Sequence, residues 1–118
     1  MFDPAVANDR REALFGGSGA VRVWDLLRSA TLEPFRAVLA CELEPGGRVG
    51  SHVQQQYPEL VVVVSGSGAM AVDDLVRPVS PGSVVALPLG ATLAIDNTSE
   101  SEPLRYLIVK ADAQRPAR

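Results

Sequence analysis

From residue 20 onward, short apolar runs alternate with breakers, and this pattern constrains the fold more than any other feature of the chain. Apolar runs at 21–27, 35–43, 60–64, 69–72, 75–79, 84–87, 91–95 and 104–111 are separated by clusters of Gly, Pro, Ser and Asp, and a more polar run lies at 48–54. Runs of this length read as strands, and nothing between them is long enough to be a helical crossover. The pattern predicts an all-β chain of roughly eight to ten short antiparallel strands arranged as a barrel or sandwich. The run 60–64 is continuously apolar, which predicts cover on both of its faces. Asp73-Asp74 between two runs predicts a hairpin turn rather than a cation site.

A chain of 118 residues is one domain, and 47% hydrophobic content is enough for one core. Residues 1–19 read as a leader, partly helical or extended. A short helix is expected over 8–15, capped by Asn8 or Asp9 and stopped by Gly16-Gly17-Ser18-Gly19. The barrel is expected over 20–111, with a flexible tail at 112–118. A net charge of -3 and a pI of about 5.0 argue against nucleic acid and anionic membranes as partners. No window approaches the ~20 apolar residues of a membrane span, and the start of the chain has no signal-like apolar stretch. The single cysteine, Cys41, lies in an apolar run and reads as a small buried hydrophobe. These features together read as a cytoplasmic protein.

The polar residues worth a chemical reading cluster around the single histidine. His52 and Gln54 share parity, so on one strand they share one face. Glu59 follows a break at Tyr57-Pro58 and opens the next strand, where it can lie across a hairpin from them. Later, Leu93 and Ile95 share a face, and Val61 and Val63 continue the face of Glu59. A polar group in an apolar cup is the general form of a ligand pocket. Tyr57 beside this set can gate the pocket or donate a proton, although packing is the commoner role of such a tyrosine. Trp24 and Tyr106 read as core or as pocket wall, core being the commoner role, and Lys110 as solvated.

Two spaced motifs run through the same region, Gly46-x5-His52-x-Gln54-x4-Glu59-x6-Gly66 and Gly82-x5-Pro88-x-Gly90-x2-Leu93-x3-Asn97. In order and spacing they resemble the two-motif signature of the cupin family, over about residues 34–110. The resemblance implies a jelly-roll barrel with a site inside it, a small-molecule ligand and frequent homodimers. It also implies a divalent transition metal (Zn, Fe, Mn or Ni) on His52, Gln54 and Glu59, with Gln54 and Leu93 standing where the family has histidines. Imidazole and carboxylate are good ligands, an amide is weaker, and Leu93 offers no lone pair. On this reading the chain is a metal-dependent lyase, isomerase or oxygenase, with His52, Glu59 and Tyr57 as catalytic residues. Without a metal, Glu59 would need protonation or a partner such as His52, Arg36, Arg48 or Arg105, and a His–Glu pair would serve acid–base isomerisation or cyclisation. A non-catalytic ligand-binding or structural dimeric barrel is the remaining alternative. Whether the chain is an enzyme stays open at this point.

Overall fold

The computed structural model describes residues 1–113. Ten strands follow one another: β1 (Asp9–Glu12), β2 (Ala20–Asp25), β3 (Phe35–Leu43), β4 (Arg48–Val53), β5 (Glu59–Ser65), β6 (Gly68–Val72), β7 (Leu75–Val79), β8 (Val84–Leu87), β9 (Thr92–Asp96) and β10 (Leu104–Ala111). A six-stranded sheet has the order β1-β2-β3-β10-β5-β8, and a four-stranded sheet the order β4-β9-β6-β7. Every pairing between them is antiparallel. Consecutive strands often change sheet, which is the jelly-roll arrangement that the resemblance implies. Among the described residues no helix is long and apolar enough to cross a membrane.

The two sheets enclose a core in which Leu43, Val61, Val63, Met70, Leu93 and Leu104 are almost completely buried. Their alternation along each strand puts one face inward, as strand periodicity requires. Asn97, the last residue of the second motif, is structural. It is buried, and its amide nitrogen faces the carbonyls of Leu43, Glu44 and Glu102 at 2.9–3.1 Å, tying the end of β9 to the β3–β4 turn. Asp73 and Asp74 both have positive φ, 48° and 67°, and close the β6–β7 hairpin as expected. The Asp73 carboxylate also accepts from the Thr92 N–H at 2.9 Å.

Three expectations are corrected. The helix expected over 8–15 is absent: Asp9–Glu12 is a strand paired with β2, and only Leu14–Gly16 makes a single 3₁₀ turn. An isolated helix that short is marginal in water. The open edge of β2 offers backbone partners instead, and the charged Asp-Arg-Arg-Glu sequence suits an outermost strand. The leading segment is therefore part of the barrel wall. The tail expected from residue 112 begins pinned, since the Asp112 N–H donates to Pro34 at 2.9 Å and its carboxylate meets Arg36 at 2.5 Å; residues 114–118 lie outside the described residues. Finally, this chain does not cover both faces of β5. Val61 and Val63 point into the core, whereas Leu60 is 43% and Val64 37% exposed.

Candidate functional site

The barrel holds a cavity of about 650 Å³, reached by inward side chains of β2, β3, β4, β9 and β10 and roofed by the segment before β2. Its volume lies in the range of drug-sized ligand pockets. His52, Glu59, Tyr106 and Lys110 supply polar atoms to it, and Leu39, Val49, Leu93, Ile95 and Ile108 supply much of the apolar wall.

His52 reaches the cavity through an irregularity that the sequence does not announce. In the β4–β9 pairing Val49 faces Ile95 and His52 faces Leu93, so β4 spends one more residue than β9 over this interval. Such a bulge re-aims side chains. It brings Val49 and His52 to the same cavity although their parity differs. The imidazole is half-buried, and its Nδ1 lies 3.1 Å from the Gly50 carbonyl oxygen. Donation from Nδ1 fixes the tautomer in which Nε2 carries the lone pair. Burial pushes the His52 pKa below its ordinary value, opposed by the Gly50 hydrogen bond and helped by the charge of Lys110.

One face of the imidazole is occupied. The Phe15 ring stacks on it at a centroid distance of 4.1 Å and an interplanar angle of 13°. Phe15 belongs to the turn at Leu14–Gly16 and has φ 53°, in the left-handed region that bulky residues rarely enter. The turn is seated by a backbone-to-backbone fit. Ser18 and Arg48 exchange two hydrogen bonds of 2.8–2.9 Å. A Cβ added to Gly50 would sit inside the Phe15 carbonyl, 2.7 Å from its carbon, and one added to Gly17 would sit 2.7 Å from the carbonyl carbon of Arg48. Glycine is therefore needed at both positions for close approach.

Glu59 opens β5 and faces the cavity with its side chain 1% exposed. Its Oε2 has no hydrogen-bond partner among the described residues. Burial pushes its pKa above the ordinary carboxylate value, and the charge of Lys110 partly offsets this. Lys110 is directly opposite Glu59 in the β5–β10 register, with Nζ 3.9 Å from Oε1, an ion-pair distance but too long for a hydrogen bond. The arginines proposed as partners are engaged elsewhere: Arg36 with Asp112, Arg48 with Asp96 and Arg105 with Glu42. Glu59 makes no hydrogen bond with His52 either; the two share the cavity without touching through one. Tyr106, fully buried on the same inward row as Ile108 and Lys110, adds a phenol that burial holds well above its ordinary pKa. Cys41 is inert in the same wall, its thiol pushed up to about 12 by burial.

The remaining expected residues are placed differently. Gln54 is buried but does not line the cavity. Its backbone N–H donates to Ala91 and its carbonyl accepts from Gly90 beyond the end of β4, and its side-chain Nε2 has no partner. Tyr57 lies under the Arg36 guanidinium at 6.0 Å and does not line the cavity. Lys110, expected in solvent, lines it. The signal was available, because Leu104, Tyr106, Ile108 and Lys110 alternate on one inward face of β10. Trp24 is buried on the outer face of the six-stranded sheet, donating to the Asp3 carbonyl at 2.9 Å with Phe2 edge-on at 5.8 Å.

A resident metal of the kind the motif implies does not fit this donor set. Among the described residues no three His, Cys, Asp or Glu side chains come together. The cavity is lined by one imidazole and by the carboxylates of Asp9, Asp25 and Glu59, which do not gather with it into a three-residue donor set; Gln54 lies off the wall, and Leu93 directly opposes His52 with no lone pair. Lys110 places a positive charge beside Glu59, the buried carboxyl nearest the motif's expected ligand position.

An antiparallel two-sheet barrel around a ligand-sized cavity, with an imidazole and a carboxyl on its wall, defines a class of small-molecule-binding barrels. The cupin domain profile matches residues 39–110, and the chain belongs to the cupin family. No curated protein matches the sequence. Among solved structures it is similar to a predicted oxalate decarboxylase from Thermotoga maritima, at 26% identity and TM-score 0.84 over 92% of this chain and 94% of that one. A Cupin 2 conserved barrel domain protein from Salinispora arenicola shares 29% identity at TM-score 0.68, covering 79% and 76% of the two chains. A sugar phosphate isomerase of the cupin superfamily from Silicibacter pomeroyi shares the fold, at 23% identity and TM-score 0.70 over 96% of this chain and 76% of that one.

Proposed function

We propose that this cupin binds a small molecule in the barrel and moves a proton on it without a resident metal, with Glu59 and His52 as the acid–base pair. The observation that carries the reading is the Glu59 carboxyl, buried in the cavity wall with Oε2 unpartnered among the described residues and pKa raised, in the same cavity as an imidazole whose pKa burial lowers. Two groups whose environments favour a neutral acid and a neutral base suit proton transfer near neutral pH. The reaction this supports is enolisation of a carbonyl compound. His52 Nε2 takes a proton from the carbon beside the carbonyl, and the Glu59 carboxyl gives its proton to the carbonyl oxygen. In a conjugated enol or an enediol, His52 then returns its proton to a different carbon while an enol hydroxyl gives its proton back to Glu59, which completes an isomerisation and restores both groups. The names of similar structures, oxalate decarboxylase and sugar phosphate isomerase, both concern oxygenated small molecules, which agrees with the class but does not choose a substrate.

The test is a screen of carbonyl compounds for uptake of solvent deuterium, read by mass spectrometry, with wild type, His52→Ala and Glu59→Gln in parallel and a chelator present. Uptake in wild type, unaffected by the chelator and lost in both variants, is expected. Uptake that persists in both variants, or that the chelator abolishes, would sink the proposal.

We further propose that the chain forms a homodimer through the outer face of the six-stranded sheet. The register there aligns two apolar rows across four strands, Ala40–Leu107–Val62–Val84 and Val38–Val109–Leu60–Ala86. Trp24 pairs with Ala40 at the β2 end, whereas Leu60 and Val84 at the β5–β8 end are 43% and 55% exposed. A sheet with apolar residues on both faces is ordinarily covered on both.

A further inference from the structure

We infer that the cavity selects a neutral, largely apolar molecule carrying one hydrogen-bonding head, a carbonyl, hydroxyl or amide, and discriminates against small dianions and phosphate esters. This rests on reading the cavity as the ligand site, and it names the chemical class of what enters.

The first support is charge balance. The ionisable residues lining the cavity are Arg11, Arg36 and Lys110 against Asp9, Asp25 and Glu59, so that even with Glu59 protonated the wall carries a surplus of only one positive charge. Two of the three cations are moreover held in closer ion pairs. Arg11 meets Asp9 at 3.2 Å, Arg36 meets Asp112 at 2.5 Å, and Lys110 lies 3.9 Å from Glu59. A dianion would meet one ammonium, beside the Glu59 carboxyl, and its second charge would have to strip an arginine from its pair or stay unpaired out of water, which is costly. Nothing among the described residues forms the fork of free cations that recognition of oxalate or a phosphate ester calls for.

The second support is shape and lining. Val23, Leu39, Val49, Leu93, Ile95 and Ile108 present aliphatic surface to a cavity of about 650 Å³. A molecule of oxalate size would leave most of that surface against water, whereas an elongated apolar body would cover it.

The third support is the head group. Glu59 Oε2 is unpartnered and 95% of the residue is buried, while Lys110 Nζ beside it is too far from Oε1 to spend a hydrogen bond there. Both residues line the cavity, and the ammonium keeps hydrogen-bonding capacity that Oε1 does not use. A carbonyl oxygen accepts from a protonated Glu59 and from the ammonium together. A hydroxyl accepts from the ammonium and donates to the carboxyl. Either satisfies the buried oxygen that the protein alone leaves bare.

The experiment uses N-phenyl-1-naphthylamine, a neutral fluorophore with a single N–H, titrated into the full chain and displaced with nonan-2-one, oxalate or glucose 6-phosphate. Saturable fluorescence gain is expected, reversed by the ketone and untouched by either anion. Ile108→Lys, at a half-buried wall position, should weaken the probe by about tenfold or more, the scale of burying an unpaired charge. Val84→Lys on the outer sheet face should leave it unchanged. Calorimetric binding of oxalate or glucose 6-phosphate tighter than that of the ketone would overturn the inference while keeping the cavity as a ligand site. Probe binding lost in Val84→Lys but kept in Ile108→Lys would put the fluorophore on the outer face and overturn it as well. Binding of neither class would overturn both this inference and the functional reading beneath it.

Discussion

Gly50→Ala isolates the fit that holds Phe15 over His52. The backbone of Gly50 has ordinary negative φ, so alanine adds no conformational strain there, and the whole effect comes from one methyl group. That methyl would lie 2.7 Å from the Phe15 carbonyl carbon and 3.0 Å from the Gly17 nitrogen. An ordinary carbon contact needs about 3.5 Å or more, so the turn must retreat by roughly 1 Å. Both neighbours are backbone, and no flexible side chain can give way. Retreat breaks the two Ser18–Arg48 hydrogen bonds, worth about 0.5–1.5 kcal/mol each, and the ring stack, worth about 0.5–1.5 kcal/mol. The expected destabilisation is about 2–4 kcal/mol, or roughly 8–20 °C in melting temperature for a domain of this size. Thermal denaturation followed by circular dichroism measures it, and the NMR signal of the imidazole reports the site without assignment, since the sequence has one His. A chemical-shift change at His52 should accompany the lower melting temperature, because the aromatic ring above it has moved. A melting temperature within about 1 °C of wild type, with an unmoved imidazole signal, would refute the claim that this backbone contact seats the turn.

Glu59→Gln tests the buried carboxyl through pH. A raised folded-state pKa means that the carboxyl favours folding when protonated; that contribution is complete below the unfolded value of about 4.3 and is lost as pH rises through the folded pKa. The variant should therefore gain stability relative to wild type in going from pH 4 to pH 8, and a constant difference across a pH series of thermal melts would contradict the burial argument. Leu93→His places a second imidazole directly opposite His52 and should raise affinity for zinc about tenfold or more by calorimetry; no gain would mean that the two positions do not converge. Leu60→Lys with Val84→Lys should leave the fold intact and give a monomeric mass by light scattering where wild type gives a dimer, and identical masses would dismiss the outer face as the contact.

The fold was legible because its punctuation is chemical. Gly46, Gly66, Gly82 and Gly90 all have positive φ in the structure, and each stands at a turn that the motif spacing marks. Strand parity likewise identified Glu59, Val61 and Val63 as one inward row, since a strand periodicity of two leaves little choice once one residue is placed. Three features of the site were not legible, each for its own reason. The bulge in β4 depends on a pairing with β9 some forty residues later, so Val49 could not be assigned to the cavity from its own neighbourhood. Phe15 reaches His52 through a turn whose left-handed residues, Ala13 and Phe15, are types that seldom adopt it. Gln54 shares parity with His52, but β4 ends at Val53, and parity carries no information once a strand has stopped.

Lys110 ties these observations into one chemical argument. A barrel that holds a cation on several imidazoles uses the cation to neutralise its buried carboxylate. Here the position facing His52 is Leu93, and Gln54 has left the wall, so the donor set cannot retain a metal. A buried carboxyl in that position still needs a compensating charge or a proton. The structure provides a share of each: Lys110 opposite it in the strand register, at 3.9 Å, and an aliphatic surround that raises its pKa. Because the ammonium is too distant to spend a hydrogen bond on Oε1, the compensation is electrostatic and leaves the ammonium's hydrogen bonds unspent on that oxygen. A lysine that closed to hydrogen-bonding distance would satisfy the carboxylate, hold it ionised and extinguish its acid function. The 3.9 Å gap is thus the feature on which the proposed proton transfer depends, and Lys110→Met, which removes the offsetting charge at similar volume, should push the Glu59 pKa further up as read by carboxyl NMR titration; a pKa that fell or stayed in place would show that the ammonium does not act on Glu59.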